Sequence, residues 1–69
     1  MNVEEKVLAY HQKRLEKYMS EFDYCKIIKT ETRKKELSDD IVRITVKTLL
    51  MTHAGVQAFE TQANITMGK

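Results

Sequence analysis

The feature that most constrains this chain is a change of hydrophobic period, helical in the first third and two-fold from Ile41 onward. Val7, His11, Leu15, Tyr18 and Phe22 step by three or four residues, with Val3, Leu8 and Met19 flanking them, so one helical face is apolar for about five turns. Asn2 followed by Glu5 has the form of a capping box and predicts where that helix begins. The opposite side carries Glu5, Gln12, Lys13, Glu16, Lys17 and Ser20, a solvated face.

From Tyr24 to Thr30 a short aromatic and β-branched run suits a first strand, and the charged segment from Thr32 to Asp40 reads as a mobile connection. Val42, Ile44, Val46, Thr48 and Leu50 then alternate with Arg43, Thr45 and Lys47, the pattern of a half-buried strand. A turn at His53, Ala54 and Gly55 precedes a third alternation in which Phe59, Thr61, Ala63, Ile65 and Met67 share a face. These patterns predict one α+β domain over residues 1–69, a long N-terminal amphipathic helix packed on a three-stranded antiparallel β-meander in the order α-β-β-β. The rival is a mostly α chain with a C-terminal helix-turn-helix around Gly55. Against it, six of the eight residues from Ile41 to Thr48 are β-branched, and each loses χ1 freedom in a helix.

At 69 residues a chain buries only about 60% of the surface its unfolded form exposes, so small scaffolds usually need a further constraint. Cys25 is the only cysteine and has no disulfide partner in the chain; with His11 and His53 it is too dispersed for a zinc site. Self-association is the remaining common solution. The absence of an apolar leader, or of a run near the roughly 20 residues that span a bilayer, predicts a cytoplasmic protein with no membrane partner.

No catalytic, cofactor or metal-binding motif is recognisable, so a non-enzymatic function without cofactor is expected. His11 on the apolar stripe reads as a core histidine hydrogen-bonded to a neighbour, His53 as an exposed turn residue, and Cys25 as a buried, inert thiol. The acidic pairs Glu4-Glu5 and Asp39-Asp40 read as caps and solubilising charge. Two features carry functional weight. Ile28, Leu49, Met51 and Val56 are apolar residues that a single helix cannot cover, which predicts an oligomer or partner interface on the outer face of the sheet. Lys26, Lys29, Arg33, Lys34 and Lys35 form a basic cluster suited to phosphate, although a regular strand sends Lys26 and Lys29 to opposite faces and would keep nucleic-acid binding weak and non-specific. The leading reading is a protein-binding or regulatory module acting as a homo-oligomer; the alternative is a weak nucleic-acid-binding protein.

Overall fold

The computed structural model describes residues 3–66; the proposed cap at Asn2 and the last alternating residue, Met67, lie outside the described residues. Helix α1 spans Val3–Met19 and is followed by strands β1 (Cys25–Glu36), β2 (Ile41–Thr52) and β3 (Gly55–Thr66). The strands form one antiparallel sheet in the order β1-β2-β3. The fold is thus the predicted α-β-β-β meander, and the helix-turn-helix is excluded because residues 41–66 pair as strands.

The helix ends where Ser20, Glu21 and Phe22 donate backbone hydrogen bonds to the carbonyls of Glu16, Tyr18 and Met19, the last two closing the tighter i→i−3 turn common at helix termini. Its buried residues are Val7, His11 and Leu15, spaced by four. Four helical residues advance about 6 Å and two strand residues about 6.6 Å, so this helical series keeps step with alternate residues of β2. Val7 accordingly clusters with Ile44 and Val46, His11 meets Thr48, and Leu15 and Leu50 continue the two series, all of them buried. Val42, Ala63 and Ile65 cover the first end of the core.

At the hairpin between β2 and β3, the Thr52 hydroxyl donates to the Gly55 carbonyl (2.9 Å) and accepts from the Ala54 amide (3.1 Å). Gly55 has φ +108°, a conformation L-residues avoid, which is why glycine stands there.

Two boundaries differ from the sequence reading. The expected mobile connection from Thr32 is instead strand as far as Glu36, and only residues 37–40 turn the chain. Its charges suit an edge strand: every residue of β1 after Cys25 is exposed, so no alternation of polarity marks it. The third strand also begins at Gly55, directly after the turn. The helix packs on β2 and β3 rather than on β1, which explains why β1 is exposed on both faces.

Leu15 is 1% exposed, the most deeply buried helix residue. Leu15→Ala should therefore lose about 2–5 kcal/mol in urea titration, the usual cost of emptying a buried leucine site. A loss under about 0.5 kcal/mol would mean that this stripe is not the packed face.

Candidate functional site

Of the residues with chemical potential, His11 is the most deeply placed, with 3% of its surface exposed. Its Nδ1 lies 2.7 Å from Thr61 Oγ1 and its Nε2 2.8 Å from Thr48 Oγ1. Arg14 Nη1 donates to the same Thr61 oxygen (2.8 Å), and Thr48 lies 3.0 Å from Thr30 Oγ1. One proton arrangement uses every donor: Arg14 donates to Thr61, Thr61 to Nδ1, the Nε2 proton to Thr48, and Thr48 to Thr30. The imidazole is neutral in that chain. Burial, and secondarily the Arg14 charge, holds its pKa below the ordinary 6.5. This is a structural histidine in which both nitrogens are occupied.

Aromatic contacts extend from it toward the hairpin. His11 packs on Phe59 (5.4 Å between centroids), Phe59 stacks on Tyr18 (4.8 Å), Tyr18 meets Phe22 edge-on (5.2 Å), and Phe22 reaches His53 (6.0 Å). His53 is exposed at the turn, as expected, whereas Cys25 is half-buried rather than buried because it opens the edge strand β1 opposite Thr52. Among the described residues, no three histidine, cysteine, aspartate or glutamate side chains converge as a metal site, and no helix is long and apolar enough to cross a membrane.

The face of the sheet turned away from α1 gathers the other candidates. Its membership follows from the register, which contains a bulge at Ile28: Lys26 pairs with Met51, Ile27 with Leu50, and Lys29 with Leu49. One extra residue changes the phase of the strand. Lys26 and Lys29 therefore stand on the same face, contrary to the expectation for a regular strand. Arg33 and Lys35 follow them there, opposite Thr45 and Arg43. Lys34 points the other way and pairs with Glu4 of the helix (3.3 Å), so it leaves the cluster.

Arg43 and Lys47 of β2 complete the face; the sequence cluster missed them, although the alternation of β2 already marked their side. Together the face presents Lys26, Lys29, Arg33, Lys35, Arg43 and Lys47 against Glu31 and Glu60, a net +4 in a chain whose total is +2. The remainder of the chain is correspondingly acidic.

The distribution is uneven. At mid-sheet Lys47 stands between Glu31 and Glu60, beside a depression of about 260 Å³ lined by these residues with Arg33, Thr45 and Gln62. Lys29 pairs with Glu31 at 3.4 Å. Toward the β1–β2 turn, Lys35 lies directly opposite Arg43, and Arg33 is two residues away. Arg43 donates through Nε to Asn64 Oδ1 (3.1 Å), and among the described residues no carboxylate forms an ion pair with any of these three cations, Asp39 and Asp40 of the adjoining turn included. At the other end Leu49, Met51 and Val56 form an apolar corner, half-buried in Leu49 and exposed in the other two; Ile28, exposed in the bulge, has no cross-strand partner.

The chain matches no protein-family model, no curated protein and no solved structure.

The His11 environment fixes the sign of a pH effect. The folded chain holds the imidazole neutral below 6.5 while the unfolded chain takes up a proton near that value, so the unfolded state binds more protons as pH falls. Stability should be full above about pH 7 and decline as pH drops through 6.5 toward the lower folded-state value. Urea midpoints at about pH 7.5 and 5.5 test this, with His11→Gln expected to be less stable but to lose the dependence in that window. Identical midpoints for the native chain at both pH values would contradict a neutral, buried imidazole.

Proposed function

We propose that this chain is a non-enzymatic binding protein whose open sheet face receives the phosphate backbone of duplex nucleic acid. The observation that carries the reading is the placement of Lys35 directly across from Arg43, with Arg33 beside them and, among the described residues, no carboxylate ion-paired to any of the three. Like charges directly opposite one another on a sheet are destabilising. An anion held between them turns that repulsion into attraction, and phosphate suits arginine through paired N–H donors. The cations from Lys26 to Lys35 extend along β1 for about 30 Å, the reach of a backbone track rather than of a small-anion pocket.

A duplex is favoured over a single strand because the strands place no aromatic ring on the open face; Phe59, the only strand aromatic, lies on the helix side. Single-strand binders stack bases on such rings. An acidic protein would need an apolar centre to its interface, whereas here the apolar residues sit at one corner and the middle is charged. Of the two side-chain amides on this part of the face that could read a base edge, Asn64 is already held by Arg43, and Gln62 sits in the depression between Arg33 and the carboxylates Glu31 and Glu60, away from the Lys35–Arg43 pair. Binding is therefore backbone-directed and independent of sequence.

Fluorescence anisotropy with random-sequence duplex should give a Kd of about 10⁻⁴–10⁻⁶ M at physiological salt, tightening steeply as salt is lowered. Lys35→Glu and Arg43→Glu should each weaken binding and reduce the salt slope by about one or more, while Lys34→Glu, on the opposite face, should leave both nearly unchanged. Absence of duplex binding at low salt, an equal loss from Lys34→Glu, or equally tight binding of polyglutamate would each reject the reading.

A further inference from the structure

The sheet has two open edges, and their chemistry is opposite. Among the described residues nothing pairs with the outer side of β1 or of β3. Strand β1 carries Lys26, Lys29, Glu31, Arg33, Lys34, Lys35 and Glu36 and is interrupted by the bulge at Ile28. Charged residues, lysine above all, and bulges are the devices by which proteins keep an edge from pairing with another chain. Strand β3 has neither: its only charge is Glu60, and it pairs with β2 over its whole length with no register shift.

We infer that β3 is a dimerisation edge, pairing antiparallel with β3 of a second copy across a two-fold axis to make a continuous six-stranded sheet. A two-fold contact sets a surface against itself, so it demands a surface that tolerates its own image. The nearly neutral β3 does so, while self-pairing of β1 would bring rows of like cations together.

The placement of the helix supplies a second, independent argument. Because α1 packs evenly on β2 and β3, its axis lies about half a strand spacing inside β3. Adding a copy across the edge puts the two helix axes about two strand spacings apart, roughly 9–10 Å. That is the distance at which helices pack on each other. On this flank Arg14 lies over Phe59 and Tyr10, and Tyr10 is 59% exposed whereas Phe59, Tyr18 and Phe22 are half-buried. The second helix would bury it. The same contact enlarges a core that holds only five buried apolar side chains among the described residues.

Sedimentation equilibrium at about 100 μM should give twice the 8.1 kDa chain mass, in line with a standard protein interface. Hydrogen exchange should show the β3 amides that point away from β2 becoming protected as concentration rises, while the outer amides of β1 exchange quickly at every concentration. Tyr10→Asp should shift the protein toward monomer with its circular dichroism unchanged, and Met51→Asp, on the apolar corner of the open face, should leave the dimer intact. A mass of 8.1 kDa at high concentration, protection of β1 instead of β3, or dissociation by Met51→Asp with β3 still exchanging would overturn the inference. None of these readouts depends on nucleic-acid binding, so the two proposals fail separately.

Discussion

Everything about the placement of the helix turns on His11, held between Thr48 of β2 and Thr61 of β3. Apolar contacts at either end of the core are non-directional and would tolerate sliding by a residue. A buried imidazole with two hydrogen bonds does not, because a slip strands both nitrogens and two threonine hydroxyls in a dry interior, at about 1–3 kcal/mol for each unmet group. The network therefore sets the register of α1 against the sheet, and Arg14 and Phe59 follow from it. Its cost is a polar slice through a small core, with Val7, Ile44 and Val46 on one side and Leu15 and Leu50 on the other. A satisfied polar slice gives up some apolar burial in return for a single arrangement.

The second determinant is the extra residue at Ile28. Without it, Lys26 and Lys29 would point to opposite sides, and β1 would spread its cations over both. With it, Lys26, Lys29, Arg33 and Lys35 stand in one row, and Lys34 alone is left to the helix and Glu4. The irregularity thus adds Lys26 to the row that Lys29, Arg33 and Lys35 already form by regular alternation, and with Arg43 and Lys47 of β2 this gives a chain of modest net charge a distinctly basic surface.

The sequence disclosed those parts of the fold in which one face is dry and the other wet. Val7, His11 and Leu15 at helical spacing, and Val42 to Leu50 in alternation, are legible because burial forces polarity to follow geometry. Strand β1 beyond Thr30 was not legible for the same reason: wet on both faces, it has no alternation to show, and its charges read as a loop. The bulge was also hidden. Ile28 is an ordinary strand residue, and its displacement comes from pairing with β2, which no local pattern records. For the candidate site this meant that Arg43 and Lys47 were already on the right side of β2 but were not joined to a cluster thought to be divided. The threonines of the core were visible on the correct faces of their strands, yet nothing in the sequence linked Thr48 and Thr61 to His11 across 37 and 50 residues.

Folded chains are locally consistent where only stability is at stake, and departures from local rules concentrate where something else is being served. Here the ladder Glu31–Lys47–Glu60 obeys the rule that opposite charges face each other, and Lys29 leans on Glu31. The pair Lys35 and Arg43 breaks it only two residue pairs from Arg33 and Thr45, in a chain too small to carry an idle repulsion lightly. Simple solubility does not account for the exception, since a glutamate at position 35 would dissolve the edge equally well and form a cross-strand ion pair with Arg43. The uncompensated cations are therefore the part of this surface least explained by folding and most readily explained by an anion that arrives from outside.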